Sequence, residues 1–429
     1  MFDPAAETRP VDEQFRLDRE SYRAQIAYLF ERSPFYRRKL DAAGFPDAKA
    51  VGELDDIARL PFTEKDELRA TQAAAPPFGE HLAVEPERLV RVFSTSGTTG
   101  VPCYLGLTRS DLEIYATNVA RGYSAAGFSR GQRVAVGFNA GPFVAGAVYH
   151  GFDLIGCTVI PVGTGNTERL VSAIVNLKAT GVSCTPSYGL YLIDWCHDAG
   201  IDTRSLGLTN MITAGEPGGG DPLIRARIEE AFGCRVRESM GIGDISLSAW
   251  AEDEDGGGMH FMARDFVHVE LIDPTSGEPI DWRHGAEGEL VYTALRREAM
   301  PLLRFRSRDH VVVNMEPNPT GRTGPRIRCI GRTDDMLIVR GVNLFPSAVQ
   351  DLVESMRPAV SGQVRLVADF EGHSTQRNLT VLVERAEAEP TGLSLPALKD
   401  EIERRIRGAL AVKADVLLAP HGSIEKPGA

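Results

Sequence analysis

Residues 133–162 alternate a short apolar run, a helical stretch and a second apolar run, and this pattern constrains the fold class more than any other feature. Arg133-Val-Ala-Val-Gly-Phe138 reads as a strand, 143–155 as a helix, and Cys157-Thr-Val-Ile-Pro-Val162 as a second strand. Strands joined through a helix run parallel, because the crossover returns the chain to the same end of the sheet. The pattern recurs at 182–185 and 211–213. The helix after that is punctuated at both ends. Asp221 is its N-cap, Pro222 occupies the first turn, Leu223, Ile224, Ile228 and Phe232 turn inward, and Gly233 stops it. Sustained β/α alternation predicts an α/β layered domain around a largely parallel sheet.

The flanks read differently. Residues 15–42 carry Tyr22, Ile26, Leu29 and Phe30 at helical spacing, which predicts an amphipathic helix. From about 260 to 330, strand-like runs separated by turn signals predict a small antiparallel β subdomain. The tail predicts a helix at 347–356, strands at 364–368 and 379–383, a helix at 395–410 and a strand at 414–418. The second of these helices places Leu395, Leu398, Ile402, Ile406 and Ala409 on one face. The expected division is a large N-terminal domain over 1–331 and a small α+β lobe over 332–429.

Charge narrows the partners. Lys and Arg total 47 against 59 Asp and Glu, a net charge of −12. That balance argues against nucleic acid or an anionic membrane as partner, since phosphate surfaces reward clustered cations. A small anion, needing only local donors, stays open. Six scattered cysteines with no Cys-x-x-Cys pair suit a reducing cytoplasm better than a disulfide framework. The N-terminus lacks the basic start and apolar run of a signal peptide. Residues 134–152 carry no Asp, Glu, Lys or Arg, yet hold four glycines and Pro142. A strand, a break and a buried helix explain them better than a bilayer span.

Three segments can carry chemistry. Phe93-Ser-Thr-Ser-Gly-Thr-Thr-Gly100 follows an apolar run and offers hydroxyls and close backbone approach to anionic oxygens. It lacks the Lys of a Walker loop, and on composition alone such a run is more often only a turn. Pro301-Leu-Leu-Arg-Phe-Arg-Ser-Arg-Asp309 sets three arginines at alternate positions, either a solvated face or a wall facing an anion. Ile330-Gly-Arg-Thr-Asp-Asp-Met-Leu-Ile-Val-Arg-Gly-Val-Asn-Leu-Phe-Pro346 precedes the C-terminal lobe and reads blandly as a hairpin and linker.

Together with Ile212-Thr-Ala-Gly-Glu-Pro-Gly-Gly-Gly220, these segments resemble the phenylacetate–CoA ligase family of adenylate-forming enzymes. Further stretches look similar to that family: SPFYRRKLDAAGF (33–45), LPFTEKDELR (60–69), LIGCTVIPVGTGNTERLV (154–171) and TPSYGLYL (185–192). The resemblance runs in consistent order over roughly residues 20 to 425. It implies a two-step reaction: a carboxylic acid and ATP give an acyl-AMP, and a thiol, usually coenzyme A, displaces AMP. By position, Thr95, Ser96, Gly97, Thr98, Thr99 and Gly100 would hold the β- and γ-phosphates. Ala214, Gly215, Glu216 and Pro217 would line the adenine, with Glu238 and Met240 beside it, and Asp309 would accept the ribose hydroxyls. Asp244 would bind Mg²⁺. Arg332 would sit at a hinge over 332–334 with Asp334 as pivot, and rotation of the lobe would bring Arg340 and Gly341 into the site for thioester formation. Asn139, Phe143, Gly241 and Ile242 would line a small pocket suited to a flat aryl or arylacetic acid. A homodimer is also expected.

This sequence departs from the family pattern at several points. Val101 stands where a Lys usually follows the phosphate loop. Met240-Gly-Ile-Gly-Asp244 replaces the usual Tyr-Gly-Leu-Ser-Glu, losing a ring and a hydroxyl and shortening the acidic arm. The family's catalytic Lys follows a Gly-Ser-Ile/Leu element; Gly422-Ser-Ile-Glu-Lys426 carries that element, but Lys426 matches a different position. Some relatives bind a structural zinc, for which only His260 and Cys329 are placed here, with Glu252 where a Cys would be, so no zinc is expected. Two alternatives remain beside a CoA ligase: transfer to an acyl carrier protein's thiol, and a degenerate homologue that binds nucleotide or acid without catalysis.

Overall fold

The structure is a computed structural model. It describes residues 1–94, 103–138, 144–163, 165–216, 218–333, 337–340, 342–344, 346–370, 374–387, 394–410 and 412–424. The chain forms two compact units: Met1–Ser307 with Val311–Arg328, and Arg308–His310 with Cys329–Ala429.

The first unit opens with α1 (Pro4–Glu7), α2 (Val11–Arg32), α3 (Pro34–Ala42), α4 (Ala48–Val51) and α5 (Lys65–Ala74). The helix expected over 15–42 is broken in two at Ser33. Its hydroxyl accepts from the Tyr36 N–H, and Pro34 takes the first position of α3, where a missing N–H costs nothing. Tyr22, Ile26, Leu29, Tyr36 and Leu40 then meet Leu54, Leu295 and Leu303 in one apolar cluster. An antiparallel hairpin follows, β1 (Arg91–Ser94) with β2 (Tyr104–Leu107), and Ser94 stands opposite Tyr104.

After α6 (Arg109–Ala125) comes the alternating region. Its elements are β3 (Arg133–Val136), α7 (Val148–Ile155), β4 (Thr158–Pro161), α8 (Thr167–Leu177), β5 (Gly181–Cys184), α9 (Pro186–Asp198), β6 (Asn210–Thr213), α10 (Pro222–Phe232) and β7 (Arg235–Ile242). Alternate side chains of the strands serve opposite faces. Val134 and Val136 pack with Val119, Tyr123, Val148 and Phe152 of α6 and α7. Ala135, Val182 and Met211 pack with Leu170, Leu192, Ile228 and Phe232 of α8, α9 and α10. Each such buried side chain stabilises by about 1.5–3 kcal/mol, and burial of both strand faces is what selects a parallel sheet. Asp221 caps α10 by accepting from the N–H groups of Leu223 and Ile224, and Gly233 ends it at φ 67°.

The chain continues through β8 (Ser246–Glu252), β9 (Met259–Phe261), β10 (Val267–Ile272), β11 (Glu287–Ala294), β12 (Phe305–Asn314) and β13 (Arg326–Arg332). Among the described residues these join the parallel strands in one 11-stranded sheet, ordered β4-β3-β5-β6-β7-β8-β9-β13-β12-β11-β10. The antiparallel strands expected over 260–330 therefore extend the main sheet. β7 is the seam, parallel to β6 and antiparallel to β8. The order β4-β3-β5-β6-β7 reverses direction between β3 and β5, and in such sheets ligands bind beyond the carboxyl ends of the strands at that reversal.

The second unit contains β14 (Leu337–Val339), β15 (Val342–Leu344), α11 (Pro346–Glu354), β16 (Val360–Val367), β17 (Ser374–Thr375), β18 (Leu379–Arg385), α12 (Leu395–Leu410) and β19 (Ala414–Ala419). β18, α12 and β19 make a parallel crossover, with β16 antiparallel on the other edge of β18. Leu398, Ile402 and Ile406 of α12 pack on this sheet. Leu395 stays 37% exposed and Ala409 is exposed, so the buried stripe is shorter than the periodicity predicts. No helix among the described residues is long and apolar enough to cross a membrane.

Candidate active site

The carboxyl ends of β5, β6 and β7 carry the described part of the site. Beyond β6, Ala214 donates its N–H to the Cys184 carbonyl at 3.1 Å, and Gly215 turns at φ 92° over Phe138 and Thr185. Glu216 Oε1 accepts from the Ser187 N–H at 2.7 Å, at the N-terminus of α9, where a carboxylate offsets the unpaired amides. The segment expected beside adenine is thus pinned to a helix end. Pro217 lies outside the described residues.

Behind that segment, Gly219 and Gly220 lie against Glu238 so closely that a Cβ on Gly220 would stand 2.5 Å from its Oε2. Burial and the neighbouring Glu252 push the Glu238 carboxyl up to about 7, while the Gly220 N–H opposes them. Glu252 itself is held by Arg225 and accepts from the Glu238 N–H at 2.9 Å.

β7 and β8 form a hairpin whose turn is Gly243-Asp244-Ile245. Met240 stands opposite Trp250, and the register shifts between Met240 and Ile242. Gly241 is required at the shift, because a Cβ there would lie 2.6 Å from the Ser248 nitrogen. The turn is fastened from several sides. Tyr115 donates its hydroxyl to the Gly243 carbonyl at 2.6 Å, and Arg297 donates to Tyr115 Oη at 3.0 Å and to the Ile245 carbonyl at 3.3 Å. Burial pushes the Tyr115 phenol up to about 12, which keeps it a donor at neutral pH. Asn118 donates to Ser246 Oγ at 2.8 Å.

Asp244, at the tip, is paired with Lys65 of α5: Nζ lies 2.6 Å from Oδ1 and 2.7 Å from Oδ2. Nearby, His81 is 2% exposed, and burial pulls its ring down to about 4, so it is neutral. Lys65, His81, Tyr115 and Arg297 were not singled out from the sequence. One signal for Lys65 is its place as the first residue of α5, where the helix dipole disfavours an unpartnered cation. A fit for Mg²⁺ rests on one carboxylate. No group of three or more His, Cys, Asp or Glu gathers around a common point among the described residues. A single aspartate suits Mg²⁺ when phosphate oxygens and water supply the remaining ligands.

In the second unit, Asp309 is 9% exposed, and its Oδ1 lies 3.6 Å from Arg332 Nη1. The Thr333 N–H donates to the Arg308 carbonyl at 2.6 Å. Arg308 holds φ 66°, a conformation costing a side-chain-bearing residue about 1–3 kcal/mol. Arg304 and Arg306, in the first unit, form neither a solvated row nor a wall for a ligand. Arg304 pairs with Glu270 at 2.9 Å and donates to the Ala58 and Leu60 carbonyls. Arg306 makes two bonds to Glu289, at 2.9 and 2.7 Å. Guanidiniums matched this way have their donors spent.

Several expected residues lie outside the described set: Thr95, Ser96, Gly97, Thr98, Thr99, Gly100, Asn139, Phe143, Asp334, Gly341 and Lys426. Their described flanks include Ser94 and Cys103 around the phosphate-loop segment, and Phe138, whose carbonyl accepts from Tyr149 Oη at 3.1 Å. Ile242 is half-buried and Gly241 exposed. His260 Nε2 lies 3.0 Å from Asp253 Oδ2, so this histidine faces a carboxylate.

Comparison with known proteins places these features in context. Residues 341–428 match the AMP-binding enzyme C-terminal domain. The chain is 35% identical to a phenylacetate–coenzyme A ligase of Thermus thermophilus, covering 98% of this chain and 96% of that protein. It is 35% identical to a phenylacetate–coenzyme A ligase of Aromatoleum evansii, covering 97% and 92%. A solved 2-hydroxyisobutyryl-CoA ligase, in its postadenylation state with R3-HIB-AMP, aligns with a TM-score of 0.89 at 29% identity, covering 99% of this chain and 89% of that one.

Proposed function

The chain belongs to the phenylacetate–coenzyme A ligase family, and on that premise we propose that it joins a small aromatic carboxylic acid to the thiol of coenzyme A through an acyl-adenylate. The acid's carboxylate oxygen attacks the α-phosphorus of ATP, the bond to pyrophosphate breaks, and the carboxyl becomes a mixed anhydride with AMP. The thiol then gives up its proton, adds to the activated carbonyl and expels AMP. A carboxylate is a poor electrophile, so the first step exists to give it a good leaving group. Catalysis rests on positioning and on fixed charges where charge develops.

The observation that carries this reading is the near full-length match to relatives named for the reaction, and the geometry agrees with it. Ala214–Glu216 and Met240–Asp244 lie at the carboxyl ends of the neighbouring strands β6 and β7, on the edge of the sheet where α/β folds bind ligands. Gly215 and Glu216, pinned to α9, would line the adenine, and Asp309 would accept the ribose hydroxyls. Ile242 and Gly241, with Asn139 and Phe143, would bound the acid. Asp244 would hold Mg²⁺, which when bound neutralises charge on the phosphates. Rotation of the lobe that follows Asp334 would separate the two half-reactions. A reducing, cytoplasmic setting is part of this reading, since scattered cysteines with no Cys-x-x-Cys pair suit it.

The test is ATP-dependent pyrophosphate release across a panel of arylacetic, aryl and short aliphatic acids, followed by mass spectrometry of the acyl-AMP. Release with an aromatic acid supports the proposal; release with none overturns it in favour of a binding homologue. Offering coenzyme A and a carrier protein in turn identifies the acceptor.

A further inference from the structure

We propose that the cavity between β9 and the segment joining β12 to β13 is a binding site for a small oxyanion, with Arg326 and Asn318 as its donors. The cavity measures about 170 Å³, and His260, Asn314, Asn318, Arg322, Thr323 and Arg326 are among the residues lining it. At about 30 Å³ per water, this is room for an ion of phosphate size and a few waters. Met315, Glu316 and Pro317 stand exposed at its rim, so the space opens to solvent. It lies apart from the candidate active site. His260 pairs with Ala251 and with Arg326, and Ala251 is roughly 17 Å along β8 from the strand end that follows the Asp244 turn.

The charges around this space do not cancel. Arg322 is paired, with Glu7 at 2.8 Å and Asp253 at 3.5 Å. Asp253 also accepts from Thr320 Oγ1 at 2.9 Å and faces His260 Nε2 at 3.0 Å. Arg264 bonds Thr323 Oγ1 and the Glu7 and Arg9 carbonyls, and it has Asp265 and Asp18 near it. The Glu316 carboxylate is 64% exposed and lies near His284. Arg326 is left over. It is 4% exposed, its Nη1 and Nη2 donate to the Gly256 and Glu316 carbonyls, and among the described residues it has no carboxylate partner. A buried guanidinium without a counter-charge is strongly destabilising.

Two further nitrogens at the cavity point the same way. Asn318 Oδ1 accepts from the Thr320 N–H at 2.8 Å, which fixes the amide, and its Nδ2 is buried without a hydrogen-bond partner. His260 is 2% exposed, and its Nδ1 is unpartnered as well. Water satisfies an amide or a ring nitrogen but leaves the Arg326 charge uncompensated. A metal cation in the same space would face two guanidiniums. An oxyanion answers all three groups. It accepts from Asn318 and, through charge-assisted bonds, from Arg326, and a proton held by the ring or the anion joins it to His260 Nδ1.

The experiment is calorimetry and thermal melting of the full chain in phosphate, sulfate and acetate, each set against chloride at equal ionic strength. Every titration is run with and without AMP, and binding at the cavity is the part that AMP does not displace. At least one of these oxyanions should bind saturably and raise the melting temperature by mass action. Which of them does so tells a tetrahedral oxyanion from a carboxylate. Arg326→Met keeps the stem and removes the charge; Asn318→Asp keeps the acceptor for Thr320 and sets a negative charge at the donor. Each should weaken the binding at least about tenfold, and Arg326→Lys should recover part of the loss. Oxyanion is compared with chloride within each variant, so a variant that melts lower still reports binding. Asn318→Asp, nearly isosteric, keeps the test readable should Arg326→Met fail to fold. Equal melting in all four salts overturns the proposal, as does stabilisation by Zn²⁺ and by no oxyanion. Binding that both variants leave unchanged marks an adventitious ion only and overturns it too. None of these residues belongs to the proposed adenylating site, so failure here leaves that reading standing.

Discussion

Burial makes a carboxyl give up its proton late and a neighbouring carboxylate adds to the effect, and Glu238 meets both, with Glu252 as the neighbour. Its folded value of about 7 stands above the ordinary 4.5. The folded state therefore holds more protons than the unfolded chain across that window, and the stabilising contribution present below 4.5 is lost as pH rises through about 7. Glu238→Gln mimics the protonated form and keeps an acceptor for Gly220. It should raise the melting temperature at pH 8, by on the order of 1–2 kcal/mol of stability, and change nothing near pH 4.5. A melting shift that is the same at both pH values would remove ionisation as the cause. At Asp309 the expectation is loss of ligand binding without loss of fold. Asp309→Ala removes an acceptor facing Arg332, and with it a charge-assisted contact to the ribose diol worth about 1.5–3 kcal/mol. Calorimetry with ATP reads this directly, and unchanged affinity would show that the ribose binds elsewhere. Neither residue's environment was visible locally. Glu252 and Glu238 are separated by a turn of unknown course in the sequence, and Arg332 meets Asp309 only because β12 and β13 fold back.

At the scale of elements, local rules were legible wherever the physics was local. Asp221 and Gly233 delimit α10 because a cap and a left-handed stop act within a few residues. The apolar runs at 133–138 and 157–162 predicted two parallel strands, and β3 and β4 pair in that way. The helix over 15–42 was mispredicted as continuous, although Ser33-Pro34 carried the break: a hydroxyl cap followed by proline starts a new helix more cheaply than it continues an old one. Cross-strand pairing was not legible. Arg304 and Arg306 take Glu270 and Glu289 as partners from β10 and β11, and no periodicity encodes that choice. The β7–β8 hairpin shows what an element contributes to the site. Gly241→Ala would put a methyl 2.6 Å from the Ser248 nitrogen and 2.9 Å from the Ser246 carbonyl, both backbone atoms that cannot swing aside. The strands must part, at a cost of about 1–3 kcal/mol, and the Asp244 turn moves with them. Magnesium-dependent adenylation should fall more than stability does. Gly220→Ala provides the contrast, since it meets side-chain atoms of Glu238 rather than backbone. If both variants behave alike, backbone crowding at the hairpin is not what holds Asp244 in place.

At the scale of the whole molecule, the change of character in the sequence after residue 330 and the compactness of two units are separate facts. The second unit groups Arg308–His310 with Cys329–Ala429, although those three residues lie inside β12. Sequence order alone could not assign those three residues, because the assignment depends on contacts made across the sheet. Asp309 and Arg332 are paired within this unit, and both precede Asp334. Asp334 follows two residues after Arg332, and a proline there fixes φ near −65° and removes an N–H. If the passage after β13 is a pivot, Asp334→Pro should hold the lobe in one of its orientations, and the half-reactions should separate. Single-turnover thioester yield from synthetic acyl-AMP, set beside acyl-AMP yield from acid plus ATP, measures each half by itself. The expected result is that the two fall by factors differing at least about tenfold, as when a conformational step gates only one of them. Asp334→Ala, which leaves the backbone free, should depress neither selectively. Equal losses in Asp334→Pro, or the same split in Asp334→Ala, would mean that the chemistry at this position belongs to the aspartate's side chain and that the pivot lies elsewhere along the passage from Cys329.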